Sequence, residues 1–169
     1  NRNEKDDHLT IVSWNIRGFF GLRDTLLNFV GRKAPDVILI QETISRHLGL
    51  RLPGYRTFES AAGDGRRGVA TFVRSTIACE EIQVTAKPNP TTELVKVILQ
   101  LHQSRKLEIV NLYHHCTKRF ALLDWLDNDA PVAGAHRLIA GDFNLKHSAW
   151  GQSNPDTSPG KRFLEELTD

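Results

Sequence analysis

This sequence contains no Met, only two Cys and no long apolar run among its 169 residues. The cysteines, Cys79 and Cys116, are too few for a disulfide framework, and they lack the spacing of a metal site. The longest aliphatic run is 37–40, whereas a membrane-spanning helix needs about 20 apolar residues. The sequence therefore argues against a disulfide-rich secreted scaffold and predicts no membrane-spanning helix.

The missing Met also bears on the ends of the chain. Translation products normally begin with Met, so the start at Asn1 predicts a piece of a longer reading frame. No basic and apolar leader opens the chain, which favours a nuclear or cytoplasmic location. The polar residues 1–8 are expected to fray, and residues 9–169 are expected to form one domain. We expect this domain to be truncated at its C-terminus, because a predicted helix from Ser158 runs into the last residue.

Charge is balanced rather than strongly of one sign. The 22 Lys and Arg residues face 20 Asp and Glu residues, a formal net charge of +2, and 40% of the residues are hydrophobic. This combination is typical of a folded globular domain and excludes a mainly disordered chain. The slight basic surplus permits nucleic-acid binding without requiring it.

The alternation of apolar segments predicts an α/β fold. Leu9–Ile16 and Asp36–Gln41 are apolar on both faces, which is typical of strands buried between two layers. Between them, Leu22–Lys33 has its apolar residues at helical spacing, so the three segments form a βαβ unit. Further strands are predicted at 55–59, 69–74, 77–84, 93–101, 107–112 and 137–140, with helices at 117–127 and from Ser158.

Polar side chains occur where three of the predicted strands end. Asn15 lies in the last positions of the first strand, Glu42 follows the second, and Asp142 and Asn144 follow the strand at 137–140. The carboxyl ends of strands are where α/β sheets build their sites, and carboxylate and carboxamide oxygens suit a hard cation such as Mg²⁺. Each residue alone is equally typical of a turn. Taken together, the four residues favour a cation-binding site over four unrelated turns.

Five short motifs occur in an order that resembles the endonuclease/exonuclease/phosphatase superfamily, the group of apurinic endonucleases and deoxyribonuclease-I-like enzymes. They are Ser13-Trp-Asn-Ile-Arg-Gly18, Gln41-Glu-Thr43, Gly68-Val-Ala-Thr-Phe-Val-Arg74, Asn111-Leu-Tyr113 and Gly141-Asp-Phe-Asn144. The longer segment 141–151, which ends in His-Ser-Ala-Trp-Gly, is similar more narrowly to the endonuclease domain of non-LTR retrotransposons. The resemblance runs from about Leu9 to the C-terminus.

The resemblance implies both an architecture and a chemistry. The architecture is a four-layer α/β/β/α sandwich, in which two packed β-sheets carry helices on their outer faces. The chemistry is hydrolysis of a phosphodiester with Mg²⁺, or with Mn²⁺ as the alternative ion. Glu42 would be the principal metal ligand, with Asn15 and Asp142 beside it. Asp142 would also orient and deprotonate the attacking water, and Asn144 and Tyr113 would contact the scissile phosphate.

The same resemblance implies DNA as the partner and nicking of DNA as the activity, in a domain fused to a reverse transcriptase. Arg17 and Lys146 are basic residues that flank the motifs, and His147 is expected to shape its loop with Trp150. The residues expected to bind substrate or its phosphate are Asn15, Arg17, Tyr113, Asn144, Lys146 and His147.

One departure from the family pattern keeps two alternatives open. The family carries a later Ser-Asp-His motif that does not occur in this sequence, and its His assists the phosphate at the transition state. The chain is therefore also compatible with a catalytically dead remnant that at most binds nucleic acid. The other alternative is a superfamily phosphatase or phosphodiesterase acting on lipid or nucleotide substrates.

Overall fold

The computed structural model describes residues 8–45, 48–60, 68–115, 122–151 and 156–168. Eight β-strands and three α-helices occur within these ranges. The segment 1–7 and the first turn of the helix predicted at 117–127 lie outside the described residues. In chain order the elements are β1 (Ile11–Asn15), α1 (Phe19–Lys33), β2 (Val37–Gln41), β3 (Tyr55–Ser60), β4 (Val69–Arg74), β5 (Ala78–Ile82), β6 (Glu93–Gln100), β7 (Lys106–Tyr113), α2 (Leu122–Asn128), β8 (Ala135–Asp142) and α3 (Ser158–Thr168).

The strands form two four-stranded mixed sheets, with the orders β1-β2-β4-β3 and β5-β6-β7-β8. In each sheet the only parallel pair among the described strands lies at one edge, β1 with β2 and β7 with β8. The strands β1 and β8 are therefore outer strands of their sheets, and they contact each other across the sandwich. This architecture confirms the predicted α/β fold.

The alternation of side chains along β2 shows how the first layers form. Ile38 and Ile40 pack against α1, whereas Val37 and Leu39 point the other way into a core shared with the second sheet. All four side chains are fully buried. Successive residues of a strand face opposite sides, so a strand buried on both faces must be apolar throughout.

The same alternation continues in β7 of the second sheet. Ile109 faces the core between the sheets, while Val110 and Leu112 face the outer layer, where they meet Trp125 of α2 and Phe163 of α3. The order of layers is therefore helix, sheet, sheet and helix, as the resemblance implied. Among the described residues, no helix combines the length and the apolar character that a membrane crossing requires.

Several predicted boundaries differ from the structure: the strands predicted at 9–16 and 77–84 are shorter at both ends, and the first helix starts earlier for a physical reason. Helix α1 begins at Phe19 and not at Leu22, so Gly21 lies inside the helix and not in a loop. The buried side chain of Phe19 and its N–H bond to the carbonyl of Thr43, at 2.9 Å, set this earlier start. The strand predicted at 137–140 is longer at both ends.

Buried amide side chains connect the two sheets. Nδ2 of Asn111 in β7 donates to the carbonyl oxygens of Ala70, at 3.0 Å, and Ile40, at 3.2 Å, both in the first sheet. Its Oδ1 accepts from Nε2 of Gln41 at 2.7 Å. Asn111 and Gln41 are 0% and 1% exposed, so these bonds form away from water. They fix how the first sheet lies over the second.

Other buried charges neutralise one another farther along the second sheet. Glu108 of β7 is fully buried and lies 2.7 Å from Arg137 of β8 and 3.4 Å from Lys96 of β6. Asp129, just after α2, lies 2.8 Å from the same Lys96. Because each charge has an opposite partner, the attraction between them offsets the desolvation penalty of burying the cluster.

We predict that Asn111→Ala lowers the free energy of unfolding by about 3 kcal/mol or more, because three buried polar groups lose this partner and each lost bond costs about 1–3 kcal/mol. Asn128→Ala is the matched control, since this amide is exposed and, within the described ranges, bonds to the carbonyl of Asp124 in its own helix. The control should change stability by less than about 0.5 kcal/mol. Urea unfolding measures both variants, and equal losses would contradict the proposed role of Asn111 between the sheets.

Candidate active site

The side chain of Asn15 lies between two carboxylates that come from different sheets. Its Nδ2 donates to Oε1 of Glu42 at 3.0 Å and to Oδ2 of Asp142 at 2.7 Å. A carboxylate only accepts hydrogen bonds, so the amide nitrogen of Asn15 must face both groups. The two carboxylate oxygens are therefore no more than 5.7 Å apart. The structure thus brings together three of the predicted site residues.

The strand pairing explains why these residues meet. Asn15 is the last residue of β1 and pairs in parallel with Gln41, directly before Glu42. Asp142 is the last residue of β8 and pairs in parallel with Tyr113. Parallel strands end at the same side of a sheet, and β1 and β8 contact each other between the sheets. Both polar strand ends therefore lie at one end of the sandwich.

Glu42 adopts a strained backbone conformation with φ of 53°. Its carbonyl accepts from the N–H of Gly18 at 2.8 Å, and the next residue, Thr43, donates its N–H to the carbonyl of Gly68 at 3.1 Å. A non-glycine residue in the left-handed region costs of order 1–3 kcal/mol and persists only when its surroundings enforce it. The hydrogen bonds on either side of Glu42 provide that enforcement.

The turn after β8 fixes the carboxylate of Asp142. The N–H of Asn144 donates to Oδ1 of Asp142 at 3.0 Å, and the N–H of His114 donates to the Asp142 carbonyl at 2.8 Å. The side chain of Asn144 donates in turn to the carbonyl of His114 at 2.8 Å. Both oxygens of the Asp142 carboxylate thus accept a hydrogen bond, one from Asn144 and one from Asn15.

Gly141 allows β8 to approach β7 closely before this turn. Its φ is 147°, and a Cβ at this position would overlap the backbone carbonyl of Leu112. The close approach keeps β8 paired with β7 as far as Asp142. Asp142 is therefore the last residue of β8, whereas the sequence pattern predicted that it follows the strand.

Tyr113 ends β7 directly beside Asp142. It is only 6% exposed, and its ring packs in the core between the sheets. Its strand partners are Asp142 on one side and Glu93 of β6 on the other. The structure therefore places Tyr113 in the same row of strand ends as Asp142.

Arg17 and Lys146 are both exposed near the strand ends. Arg17 follows β1 by two residues and has φ of 50°. Lys146 borders a depression of about 370 Å³ next to Asp142, and the aromatic side chains of Phe143, Trp150 and Phe163 form part of its wall. The charges of both basic residues are thus available to solvent and to an anionic partner.

His147 contacts its own loop, as its sequence position predicted. Its ring lies 5.5 Å from the ring of Trp150, and its Nδ1 accepts from the N–H of Ala149 at 3.0 Å. Its Nε2 lies 3.6 Å from Asp156, whose Oδ1 accepts from the N–H of Ser148 at 2.6 Å. This backbone hydrogen bond lowers the pKa of Asp156 below its usual value. These contacts shape the loop after Asn144; that His147 also binds substrate phosphate stays a prediction.

The donor atoms at the strand ends fit a hard divalent cation. Oδ1 of Asn15 is buried, and no described residue donates a hydrogen bond to it, although its amide nitrogen makes two. Within the described ranges no three His, Cys, Asp or Glu side chains come together as metal ligands. The set is therefore two carboxylates and one carboxamide, which suits Mg²⁺ or Mn²⁺ better than Zn²⁺, an ion that favours nitrogen and sulfur ligands.

The sequence pattern did not assign roles to Gln41 and Asn111, although both lie in motifs quoted for the resemblance. A usable signal was present, because each is a lone amide residue in an otherwise apolar strand segment. Such a residue must find a buried partner, and these two find each other across the sheets.

Comparison with known proteins defines the class to which this chain belongs. The family model described as the Endonuclease/Exonuclease/phosphatase family matches residues 12–163. The match spans most of the chain and includes both strand-end carboxylates. The chain therefore belongs to the endonuclease/exonuclease/phosphatase family.

A sequence relative comes from a mobile element. The RNA-directed DNA polymerase from mobile element jockey of Drosophila funebris is 27% identical to this chain over 150 residues. These residues are 86% of this chain and 16% of that protein, so this chain corresponds to a small part of the relative's length.

Solved structures share the fold. AP endonuclease LMAP from Leishmania major has a TM-score of 0.65 at 19% identity, and the aligned region covers 95% of this chain and 65% of the Leishmania chain. The catalytic domain of Xenopus laevis APE2 has a TM-score of 0.62 at 22% identity, covering 94% and 67%. TDP2 from C. elegans has a TM-score of 0.60 at 19% identity, covering 88% and 51%. At these identities the likeness concerns the fold alone.

We predict that Gly141→Ala is far more destabilising than Gly134→Ala. Both glycines have positive φ, but a Cβ at Gly134 meets nothing within 4 Å, whereas at Gly141 it overlaps the Leu112 backbone. The expected losses are about 1 kcal/mol at Gly134, from strain alone, and about 3 kcal/mol or more at Gly141. Urea unfolding compares the two variants, and similar losses would show that β8 does not need its close approach to β7.

Proposed function

We propose that this chain is the DNA-nicking endonuclease domain, or part of that domain, of a non-LTR retrotransposon protein, and that it hydrolyses phosphodiesters with Mg²⁺. The observation that carries the proposal is the pairing of Glu42 and Asp142 through the amide of Asn15. Membership of the family and the mobile-element relative support the choice of reaction and biological setting.

Glu42 would be the principal ligand in this proposal, with Asn15 and the carboxylate of Asp142 beside it. A bound Mg²⁺ would supply positive charge that polarises a phosphoryl oxygen and lowers the pKa of water. Mn²⁺, which accepts the same oxygen ligands, is the alternative ion. The chain's contribution is to hold these oxygens within a few ångström of each other before substrate arrives.

Asp142 is the proposed base. Its carboxylate is oriented by Asn144 and Asn15, so it is positioned to accept the proton of a water whose oxygen attacks phosphorus. The bond from phosphorus to the leaving oxygen breaks as the bond to the water oxygen forms, and the leaving oxygen takes a proton from solvent, which gives one phosphate end and one hydroxyl end. Asn144 keeps one amide N–H beyond its bond to His114, and we assign that N–H and the hydroxyl of Tyr113 to the phosphate.

DNA is the proposed partner, and Arg17 and Lys146 are the proposed phosphate contacts outside the reacting group. Both are exposed: Arg17 follows the strand end at Asn15, and Lys146 follows the turn that carries Asn144. His147 is proposed to act on the same side by shaping the loop that carries Lys146. Basic side chains at such a rim neutralise backbone phosphates without reading base sequence.

Two variants test the chemistry directly. Glu42→Gln and Asp142→Asn should each reduce Mg²⁺-dependent nicking of supercoiled plasmid by at least about 100-fold, because each removes a charge that the reaction uses. Glu80→Gln, an exposed carboxylate on β5, is the control and should nick at the wild-type rate. Release of inorganic phosphate from lipid or nucleotide substrates without nicking would favour the phosphatase alternative. Binding of DNA without cleavage by the wild-type chain would favour the dead remnant.

Salt dependence tests the phosphate contacts. In the Glu42→Gln background, which leaves DNA uncut, the affinity for duplex DNA should fall steeply as salt rises, since each phosphate contact releases counterions. Arg17→Ala and Lys146→Ala should each reduce the slope of log Kd against log salt by about 0.9. Arg105→Ala, at the opposite end of the second sheet, should leave the slope unchanged. Binding that is indifferent to salt would contradict these contacts.

A further inference from the structure

Glu93 connects the second sheet to the loop that carries Glu42. It is the first residue of β6, and its Oε2 accepts from the backbone N–H of Gly68 at 2.6 Å. Gly68 directly precedes β4 of the first sheet. The bond therefore crosses between the sheets at the end of the sandwich that carries the strand-end carboxylates. A hydrogen bond to an ionised carboxylate is stronger than one between neutral groups.

Gly68 links Glu93 to Thr43, the residue after Glu42. Its carbonyl accepts from the N–H of Thr43 at 3.1 Å. Its φ is 115°, and a Cβ at this position would overlap Oγ1 of Thr43. Gly68 thus packs directly against Thr43 and is bonded to it, so a shift of Gly68 must move Thr43.

The conformation of Glu42 depends on such neighbours. A φ of 53° is unfavourable for a residue other than glycine, so neighbouring contacts must hold the backbone of Glu42 in this conformation. One of its supports is the bond from Gly18 to its own carbonyl, and the other is the Thr43 bond to Gly68. The second support is the one that Glu93 anchors.

Glu93 also shares a row with the other half of the site. Its strand partner is Tyr113, and the partner of Tyr113 on the far side is Asp142. A single row of the second sheet therefore carries both Asp142 and the anchor of the Glu42 loop. The carboxylate of Glu93 bonds to a backbone N–H, that of Gly68, so its role in the proposal is to hold the backbone and not to bind the ion.

We propose that Glu93 is a positioning residue that holds Glu42 in place through Gly68 and Thr43. The inference rests on the proposed function, because it assumes that Glu42 binds the divalent ion. Glu93 itself touches neither the ion nor the substrate. Because Glu93 lies in the second sheet and Gly68 adjoins the first, a shift of one sheet against the other would move Gly68 and change the orientation of Glu42.

The test compares Glu93→Ala with Glu93→Gln. Alanine removes the acceptor for the Gly68 N–H, and we expect kcat for nicking to fall about tenfold to 100-fold with KM for DNA little changed, since a ligand displaced by about 1 Å costs this much. Glutamine retains an acceptor oxygen and should restore kcat to within about threefold of wild type. Glu80→Ala, an exposed carboxylate on the neighbouring strand, is the control and should match wild type.

A second readout does not depend on nicking. Titration with Mn²⁺ alone, followed by electron paramagnetic resonance of the free ion, should show affinity about tenfold weaker in Glu93→Ala and near wild type in Glu93→Gln. If Glu93→Ala fails to fold, Glu93→Asp replaces it, because a side chain one methylene shorter keeps the charge but withdraws the acceptor from Gly68. Glu93→Asp should then show the losses expected of alanine.

The outcomes separate this inference from the proposed function. A wild-type chain that binds Mn²⁺ but nicks no DNA contradicts the proposed function, and the Mn²⁺ titration of the variants still decides the role of Glu93. A wild-type chain that binds no Mn²⁺ overturns both proposals. Equal losses in Glu93→Ala and Glu93→Gln, or wild-type Mn²⁺ affinity in Glu93→Ala, overturn the role of Glu93 alone.

Discussion

The hydrogen bond between Gln41 and Asn111 is the constraint on which the site depends. Apolar contacts between two sheets are not directional, so the core alone would tolerate several relative positions of the sheets. The amide of Asn111 is satisfied only where Gln41 and the carbonyls of Ile40 and Ala70 lie opposite it. Any other position leaves buried polar groups unpaired, at a cost of about 1–3 kcal/mol each. The amides therefore select the one alignment in which the strand ends meet.

The meeting point combines rigid strands with strained turns. Asn15 and Asp142 are the last residues of strands whose neighbours hold them in register. Glu42 and Asn144, in contrast, have positive φ and depend on hydrogen bonds from adjacent segments. Local strain of this kind is maintained because the surrounding strands determine the path of the chain. The sheets thus fix where the site residues lie, and the turns fix the direction in which Glu42 and Asn144 leave the strands.

Much of this architecture could be predicted from the sequence, because it depends on local patterns. A strand such as β2 is buried on both faces, so its apolar run identifies it directly. The rule that α/β sheets build their sites at the carboxyl ends of strands predicted that Asn15, Glu42 and Asp142 would lie close, and the structure brings them together. Their catalytic roles came from the family resemblance and stay predictions. The early start of α1 was missed because Phe19 is fixed by a tertiary bond to Thr43 that no local pattern contains.

The amide of Asn15 has a property that a basic residue would lack. A Lys or Arg between Glu42 and Asp142 would pair with both carboxylates and cancel most of their negative charge. Asn15 donates to the same two oxygens while remaining neutral, so the carboxylates can stay close and the site keeps its attraction for a cation. The same side chain also carries Oδ1, a buried oxygen that accepts no hydrogen bond from the described part of the chain. One neutral residue therefore joins the two halves of the site without cancelling the negative charge of either carboxylate.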